Sequence, residues 1–355
     1  MIMTLSPEPF MSLGCAIPRD SDGERITLAY GEGGRLSRRL VRERLLPRFS
    51  NAFLSVLGDA AHLSSSTAIA FSTDGYTVTP LFFPGGDIGK LAVFGTVNDL
   101  AVSGAIPRWL SLSLIIEEGL PWSVLDRVLD SIQSATLQAN VSIVTGDTKV
   151  VPRGAADQLF ITTSGVGDVL DPATADPGLL QIDDMLIVSG PIGQHGAAIL
   201  CAREQLDFDP CPVSDCDLVT PPLLELHRTA SFPRVVRDAT RGGVAAVLHE
   251  WAAASQLTCV IDEAAVPVGP AVRSITELLG LDPLHLANEG TFVLATPRAF
   301  VEATLKTLHQ FDVSRGAVVI GRMTRQRSTP VIVVRGIGQE VPLDEPSGSP
   351  LPRIC

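Results

Sequence analysis

The stretch 88–103 constrains this chain most, because it is apolar at helical spacing and yet carries a carboxylate. Ile88, Leu91 and Ala92 recur with the period of a helix. Asp99 lies in the same stretch among valine, leucine and alanine. Removing a carboxylate from water is costly unless it is paired or bound to a metal ion. The sequence therefore predicts a helix over 88–103 and a partner or an ion for Asp99.

Four further aspartates stand at predicted strand ends or tight turns: Asp59, Asp74, Asp147 and Asp238. Each one alone is equally well explained as a turn residue or a helix cap. Carboxylates that converge repel one another unless cations neutralise them. Mg²⁺ takes a few carboxylates together with phosphate oxygens. We therefore interpret these four with Asp99 as a candidate site for magnesium and a phosphate compound.

A candidate phosphate cradle follows the last of these aspartates. Asp238 opens the run Asp238-Ala239-Thr240-Arg241-Gly242-Gly243, which directly precedes a predicted helix. An arginine and two glycines at a helix N-terminus are well suited to phosphate, through the guanidinium and the backbone N–H groups. A second glycine-rich loop, Tyr30-Gly31-Glu32-Gly33-Gly34, is a weaker signal, since such loops are common.

The order of the predicted elements indicates two α/β halves. The first half has helices over 38–46, 88–103 and 121–140 and strands over 67–71, 76–83, 109–116, 141–144 and 159–166. The second half has helices over 196–204, 244–255 and 298–310 and strands over 185–188, 257–261, 291–295, 317–320 and 331–334. Residues 171–178 are the candidate linker. We expect an N-terminal segment over 1–35, domains over 36–170 and 171–335, and a tail over 336–355.

Charge and composition exclude some classes of function. The net charge of −12 argues against a general nucleic-acid binder and against adhesion to an anionic membrane. The first 18 residues lack the features of a signal peptide, and no apolar run approaches a membrane span. Six cysteines in 355 residues are too sparse for a disulfide scaffold, so we expect a reducing cytoplasm. Cys211 and Cys216 form a C-x4-C pair, but no second pair completes a metal site.

The chain ends on a cysteine. The approach to Cys355 over 336–350 is rich in Gly, Pro and Ser and has no helical or strand period, which is typical of a mobile linker. A thiol on such a tail can reach a site elsewhere in the fold, although a frayed terminus without a function gives the same pattern. Prenylation does not fit, because that motif needs the cysteine as the fourth residue from the end.

Several stretches, in order along nearly the whole chain, resemble the HypE family of hydrogenase maturation factors. They are residues 71–76, 80–90, 95–101, 145–150, 238–243, 287–290 and 352–355, and they include Thr145-Gly146-Asp147-Thr148-Lys149-Val150 and the terminal Pro352-Arg353-Ile354-Cys355. That family belongs to the superfamily of aminoimidazole ribonucleotide synthetase, selenophosphate synthetase and thiamine monophosphate kinase.

The resemblance implies an α/β fold of the α+β type with two synthetase-like domains. The N-terminal domain would bind ATP on a mixed sheet and form a homodimer, and the C-terminal α/β domain would close the site. ATP and Mg²⁺ are the implied cofactors. The implied nucleotide-binding residues are Lys90, Asn98, Gly146, Asp147, Thr148, Arg241, Gly242 and Gly243, and the implied metal ligands are Asp59, Asp74, Asp99, Asp147 and Asp238.

The resemblance also implies a dehydration carried out on the chain's own tail. A partner carbamoyltransferase, HypF, would place a carbamoyl group on Cys355, and ATP would activate its oxygen so that elimination leaves a thiocyanate. The cyanide would pass to iron held by the HypC–HypD complex. Elimination needs a base and the exclusion of water, and Lys149 and Glu289 are the matching pair for handling protons. A phosphate contact for Lys149, and a salt bridge or helix cap for Glu289, stay open as alternatives.

Two other functions also stay open. A small-molecule kinase or synthetase of the same superfamily would use every aspartate but leave Cys355 without a purpose. A non-catalytic, nucleotide-gated carrier would use Cys355 as a delivery thiol and bind ATP without turnover. The chain departs from the family pattern at Tyr30, His62 and Gly75, so the roles of these positions stay open, and we expect 207–216 to be a local variation.

Overall fold

The computed structural model describes residues 25–30, 34–54, 61, 63–170, 176–229 and 233–346. Asp59, His62 and Cys355 lie outside the described residues, as do positions 31–33 of the first glycine-rich loop and 171–175 of the predicted linker. Both halves mix helices and strands, as predicted. No described helix combines the length and apolar character that crossing a membrane requires.

The first half is a four-stranded sheet with helices packed on one face. Its elements are α1 (Gly34–Leu40), a π-helical turn (Val41–Leu45), α2 (Leu46–Phe49), β1 (Ile69–Tyr76), β2 (Phe82–Phe83), β3 (Gly86–Asp87), α3 (Ile88–Val102), β4 (Ala105–Glu117), α4 (Trp122–Ala139), β5 (Ser142–Val151) and β6 (Leu159–Val169). The strand order is β1-β6-β4-β5, in which only the pair β4–β5 is parallel.

The second half is a seven-stranded sheet with helices on both faces. Its elements are β7 (Met185–Val188), α5 (Gln194–Glu204), α6 (Thr220–Arg228), β8 (Val235–Asp238), α7 (Gly243–Ser255), β9 (Thr258–Asp262), α8 (Pro270–Leu279), β10 (Phe292–Thr296), α9 (Val301–Leu308), β11 (Val318–Thr324), β12 (Val331–Arg335) and β13 (Gln339–Pro342). The strand order is β13-β12-β9-β11-β7-β10-β8. Helix α7 covers one face, and α6 and α9 cover the other.

Helix α3 is buried on nearly all sides. Asp87 begins it, because its side chain accepts hydrogen bonds from Gly89 N at 2.8 Å and Lys90 N at 3.1 Å. Every later residue of the helix except Lys90 and Asp99 is buried. Since a helix that is apolar all round must be enclosed, α3 lies between β1 and β6 of the first sheet, α4, and α6 and β8 of the second half.

Several predicted elements are confirmed, and others are wrong. The helices over 88–103 and 121–140 and the strands over 109–116 and 159–166 are present with small shifts of their ends. The strand predicted over 76–83 is wrong, because β1 ends at Tyr76, residues 77–81 are irregular, and only Phe82–Phe83 form a short strand, β2. Residues 145–149, predicted to follow a strand, lie within β5 because they pair with β4. The helix predicted over 298–310 begins only at Val301.

The second half also holds elements that the sequence did not predict. These are helices α6 and α8 and strand β8, which span nine, ten and four residues. Both helices are amphipathic, so their apolar period was a usable signal that the prediction overlooked. Strand β13 lies in the segment predicted to be irregular from 336 onward, because its backbone pairs with β12. The predicted domain boundaries stay predictions.

Asn98 on α3 ties the two halves together. Its side-chain Nδ2 donates to the backbone O of Asp217 at 2.9 Å and of Glu289 at 3.3 Å, and its Oδ1 accepts from Val219 N at 3.0 Å. The residue is 3 % exposed. Each of these bonds crosses from the first half to the second, so the amide holds the loops that face α3.

Removing this amide should destabilise the fold. Asn98→Ala leaves three backbone groups without their partner and is expected to cost about 2–4 kcal/mol in the free energy of unfolding. Asn98→Asp should cost at least as much, because a carboxylate would face two carbonyl oxygens. Urea unfolding measures both. As a control, Gln310→Ala removes an exposed amide bonded to Lys306 O and should change stability by less than about 0.5 kcal/mol. Equal stability of Asn98→Ala and wild type would contradict this role.

Candidate active site

Three of the predicted aspartates come together where the two halves meet. Asp74 is near the end of β1, Asp99 is on the last turns of α3, and Asp238 ends β8. They share a cavity of about 130 Å³ that is lined by Asp74, Gly75, Tyr76, Gly95, Asp99, Arg237, Asp238, Thr240, Arg241 and Glu289. The predicted convergence of Asp74, Asp99 and Asp238 is therefore seen within one chain.

Close packing of α3 against β1 places the first two carboxylates. Ser72 Oγ donates to Asp99 Oδ2 at 2.6 Å. The Tyr76 hydroxyl donates to Asp74 Oδ2 at 3.4 Å and lies 3.2 Å from Thr96 Oγ1. A side chain at Gly95 would clash with the Tyr76 ring, so glycine is required for the helix to approach the strand here.

Burial and mutual repulsion shape the charges of the cavity. The pKa of Asp74 is raised by burial and then by the Asp99 charge, and Arg241 opposes this. Burial and the charge of Asp99 raise the pKa of Asp238 to about 7. Burial and four nearby carboxylates, of which Asp215 acts most strongly, raise the pKa of Glu289 well above its usual range. A cavity of this kind favours a cation or a proton.

Glu289 reaches the cavity from a bend just before β10. The preceding Asn288 fixes this bend, because its Nδ2 donates to Ala239 O at 2.8 Å and its Oδ1 accepts from Gly193 N at 2.7 Å. Glu289 is 6 % exposed. A buried carboxyl beside other carboxylates, with a raised pKa, is the kind of group that enzymes use to transfer protons.

The loop before α7 brings Arg241 to the rim of the cavity. Gly242 and Gly243 adopt positive φ angles of 79° and 62°. A Cβ on Gly243 would lie 2.5 Å from the backbone oxygens of Leu284 and Leu286. The backbone conformation therefore favours glycine at both positions, independently of the predicted contact with phosphate. Gly243 N donates to Thr240 O at 2.9 Å, so this N–H is already bonded in the described conformation.

Asp147 and Lys149 are not brought to this cavity within one chain. Both are exposed on β5, which lies at the opposite edge of the sheet from β1. Three strand spacings separate these edges, which amounts to about 14 Å. Gly146, on the same strand, is needed for close pairing, because a side chain there would clash with Leu112 O.

Two other predicted nucleotide contacts have protein partners in the described structure. Lys90 Nζ donates to Gly85 O at 3.3 Å and lies 5.5 Å from the centre of the Phe94 ring. Asn98 is bonded to the second half, as described above. Nucleotide binding by Lys90, Asn98, Gly146 and Thr148 stays a prediction.

The donor set fits a magnesium ion that also takes oxygens from its ligand. The charge of Asp99 raises the pKa of Asp74, and the charges of Asp99 and Asp74 raise the pKa of Asp238, so the three carboxylates lie close together. Among the residues that the structure describes, no three His, Cys, Asp or Glu side chains are already arranged around one metal position. Mg²⁺ is usually bound by one or two carboxylates plus phosphate oxygens and water, so these aspartates could hold it together with oxygens of a ligand.

The described end of the tail lies beside the same loop. Leu343 N donates to Val331 O at 3.1 Å, His249 Nε2 lies 3.1 Å from Leu343 O, and His285 Nε2 lies 3.0 Å from Asp344 O. A Cβ on Gly242 would be 3.4 Å from the Pro346 ring. The chain therefore enters its last nine residues next to the candidate phosphate loop.

Some residues of the site were missed by the sequence analysis. Asp215 accepts hydrogen bonds from the backbone at Glu289 and Gly290, although the stretch that holds it was expected to be a local variation. Tyr76 and Arg237, which line the cavity, were also missed. No local sequence signal pointed to Asp215, because its backbone partners lie 74 and 75 positions further along the chain.

Two departures from the family pattern have a structural setting. Tyr30 is a core residue whose ring packs edge-on against Trp122 at 5.0 Å between ring centres. At Gly75 the nearest atom to an added Cβ is Thr162 Oγ1 at 3.9 Å, so a serine would also fit.

Asp238 supplies a test of the cavity's electrostatics. Its pKa is about 7 in the folded chain, whereas an aspartate in an unfolded chain titrates near 3.9. Between these values the folded state binds more protons, so the free energy of unfolding falls as pH rises. Asp238→Asn removes the titrating carboxyl, and with it this fall in the free energy of unfolding. It should be more stable than wild type at about pH 8, by on the order of 2 kcal/mol, and should lose this advantage below about pH 4.

Urea unfolding across this pH range, without nucleotide or divalent ions, measures the difference. Asp312→Asn is the control, because the Asp312 side chain is 87 % exposed and its replacement should give no such pH dependence. An advantage of Asp238→Asn that is the same at every pH would contradict the assignment.

Comparison with known proteins identifies the family. The AIR synthase related protein N-terminal domain matches residues 57–169, and the corresponding C-terminal domain matches residues 181–334. "Carbamoyl dehydratase HypE" of Escherichia coli K12 is 46 % identical over 93 % of this chain and 99 % of its own length.

Two solved structures are also similar. A HypE structure in complex with ATP has a TM-score of 0.89 and 42 % identity and covers 93 % of this chain and 99 % of its own. A HypE–HypF complex has a TM-score of 0.76 and 39 % identity and covers 86 % of this chain and 99 % of its own. The predicted resemblance and fold class are confirmed: this chain belongs to the HypE family of carbamoyl dehydratases, within the AIR synthase related proteins.

Proposed function

We propose that this chain is an ATP-dependent carbamoyl dehydratase that acts on its own terminal cysteine and supplies cyanide for the iron centre of [NiFe]-hydrogenase. The observation that carries the proposal is the carboxylate cavity beside Gly242, where the described part of the tail also ends. Nine residues can extend over roughly 30 Å, so Cys355 is within reach of the cavity. The ATP complex of a relative 42 % identical over nearly the whole chain supports ATP as the nucleotide.

The reaction balances as a dehydration coupled to ATP hydrolysis. The carbamoyl group on the Cys355 sulfur is S–C(=O)–NH₂, whose oxygen is a poor leaving group. Attack of this oxygen on the γ-phosphorus of ATP breaks the bond to ADP and makes the oxygen part of a phosphate. Loss of that phosphate and of both nitrogen protons leaves S–C≡N. The products are therefore ADP, inorganic phosphate, the thiocyanate and one free proton, since the other nitrogen proton ends on the phosphate.

The aspartates and Arg241 serve the phosphoryl transfer. Asp74, Asp99 and Asp238 would hold Mg²⁺ in the cavity, with Asp59 and Asp147 completing the set. Mg²⁺ bound there would offset the negative charge that spreads over the transferred phosphoryl group. Arg241 at the rim would contact phosphate oxygens as a planar donor, and Lys90, Asn98, Gly146, Thr148, Gly242 and Gly243 would contribute the other nucleotide contacts.

Glu289 serves the elimination. Its burial keeps water away from the activated group, which would otherwise hydrolyse. Burial and the surrounding carboxylates raise the pKa of its carboxyl well above the usual range. Cations that neutralise those carboxylates would lower this pKa and favour the charged form, which can act as a base. Lys149 would be the second group that handles protons, or a contact to phosphate.

A homodimer would bring Asp147 and Lys149 to the cavity. Within the part of the chain that the structure describes, one face of the four-stranded sheet exposes Ile69 at 57 % and Phe71 at 67 %, which is unusual for large apolar side chains. Asp147 and Lys149 are exposed on the far edge strand of the same sheet. If two copies pack through this face, β5 of one copy can lie near β1 of the other.

The proposed reaction requires partner proteins that load Cys355 and accept the cyanide. A carbamoyl donor must load Cys355, and a relative 39 % identical was solved as a complex with HypF. HypF is therefore proposed as the loading carbamoyltransferase, the HypC–HypD complex as the acceptor of cyanide, and the cytoplasm as the compartment, since Cys355 must stay reduced.

Substitutions at Asp99 and Glu289 should fail in different ways. Asp99→Asn removes a metal charge, so the carbamoylated protein should release little phosphate from ATP. Glu289→Gln keeps the shape of the side chain but cannot take a proton. It should still release phosphate, by hydrolysis of the stalled intermediate, while thiocyanate formation falls by on the order of 10²–10⁴-fold. Phosphate release and the intact mass of the Cys355 adduct are measured together.

Cys355→Ser is the control, since it should take up no carbamoyl group, whereas Cys211→Ser should be loaded normally. Thiocyanate formed by Glu289→Gln at the wild-type rate would show that Glu289 is not the base. Phosphate released by Asp99→Asn at the wild-type rate would remove Asp99 from the metal site.

A mixture of two inactive variants tests whether the dimer completes the site. Asp99→Asn and Asp147→Asn should each be inactive as homodimers. In a mixed dimer, one site would combine the intact Asp99 of one copy with the intact Asp147 of the other. Unfolding and refolding the two variants together should restore about a quarter of the wild-type thiocyanate yield, because half of the dimers are mixed and each has one intact site.

The matched control mixes Asp99→Asn with Asp238→Asn, whose residues share one cavity within a chain. Each site of that mixed dimer keeps one substitution, so no activity should return. The idea fails if the first mixture stays as inactive as its components while size measurements show that dimers have formed.

A further inference from the structure

Glu289 is held by two side chains rather than by a helix or a strand. It lies in a bend, and its backbone N–H donates to Asp215 Oδ1 at 3.1 Å. Its backbone C=O accepts from Asn98 Nδ2 at 3.3 Å. The position of the Glu289 carboxyl in the cavity therefore depends on these two partners, in addition to the hydrogen bonds of the neighbouring Asn288.

Asp215 holds this bend with both of its carboxylate oxygens. The second oxygen, Oδ2, accepts from Gly290 N at 3.2 Å. The two loops touch so closely that a side chain at Gly290 would clash with the backbone O of Asp215. A carboxylate that accepts two adjacent N–H groups fixes both the distance and the direction of the bend.

The loop that carries Asp215 is itself anchored from both halves. Ser214 N donates to Pro84 O at 2.9 Å, and Ser214 Oγ lies 2.8 Å from His195 Nδ1 and accepts from Cys216 N at 3.1 Å. The backbone O of Asp217 accepts from Asn98. The loop that carries the Asp215 carboxylate is therefore held in place, as it must be if this carboxylate is to position Glu289.

The same carboxylate acts on the charge of Glu289. After burial, Asp215 is the largest influence that raises the pKa of Glu289, ahead of Asp238, Asp74 and Asp99. The other titratable groups that face Glu289 are Tyr76 and the Cys216 thiol, both buried. Asp215 therefore adds to the proton affinity of the carboxyl as well as to its placement.

We propose that Asp215 is a positioning residue for the elimination step, because its carboxylate holds the backbone at 289 and 290 so that the Glu289 carboxyl points into the cavity. The inference rests on the proposed role of Glu289 as the base. It predicts that Asp215 affects the removal of the nitrogen protons and leaves ATP binding and phosphoryl transfer nearly unchanged.

The test compares Asp215→Asn, Glu289→Gln and the double variant in carbamoylated, full-length protein. The amide introduced by Asp215→Asn would keep a single acceptor oxygen and lose the charge. This variant should therefore lower thiocyanate formation by on the order of 10–100-fold, with an unchanged KM for ATP and phosphate still released. The double variant should form thiocyanate no more slowly than Glu289→Gln alone, since both changes act through one group.

Asp217→Asn is the matched control. The exposed Asp217 carboxylate accepts from the adjacent Leu218 N, and the backbone O that Asn98 binds is retained in the variant. This variant should behave as wild type. Urea unfolding checks that every variant is folded. If Asp215→Asn does not fold, Asp215→Glu replaces it, because it keeps the charge but moves it, and the same uncoupling is expected.

The outcomes separate the inference from the proposal on which it rests. If phosphate release falls in step with thiocyanate in Asp215→Asn, or if the two losses multiply in the double variant, Asp215 has only a general structural role. A wild-type rate for Asp215→Asn with a slow Glu289→Gln overturns the inference alone. A wild-type rate for Glu289→Gln overturns the assignment of the base and the inference with it.

Discussion

The enclosure of α3 is the constraint on which the rest of the structure depends. This helix is apolar on nearly every side, so it cannot lie at a surface. The first sheet and α4 cover part of it, and the second half must cover the remainder. The two halves therefore meet over this helix, and Asp99 and Asn98 are carried to the boundary between them. The site lies at this boundary because the helix that both halves need for burial also carries polar groups.

Asn98 and Asp99 have different roles at the boundary between the two halves. Asn98 is satisfied by the backbone of the second half and contributes to cohesion. Asp99 accepts a hydrogen bond from Ser72, and its negative charge repels those of Asp74 and Asp238. Such a cluster destabilises the protein without a cation. In the proposed function, binding of Mg²⁺ and the nucleotide offsets this repulsion between carboxylates. The favourable interaction is then made at the place where phosphoryl transfer occurs.

Two glycines allow close contacts that bring carboxylates into position at the site. Gly95 lets α3 approach Tyr76, and Gly290 lets the bend at Glu289 approach Asp215. These approaches place a carboxylate next to each close contact. The loop 214–217 joins both, because it is bonded to the turn at Pro84, to α5 and to α3. A residue that was expected to be a local variation thus becomes part of the support of the proposed base.

Motif spacing and apolar period are properties of neighbouring residues, so they were enough to predict the family, the enclosed helix and most of the strands. The sequence also indicated Asp74, Asp99, Asp238 and Glu289 as candidates, since each stands in a motif or an apolar setting. Only the tertiary structure decided that these four share a cavity while Asp147 and Lys149 lie at the far edge of the sheet. It also revealed the partnership of Asp215 with Glu289 and the strand β13 in a segment predicted to be irregular. The physical reason is that strand order and loop contacts join residues far apart along the chain, and their packing depends on the whole fold rather than on any local pattern.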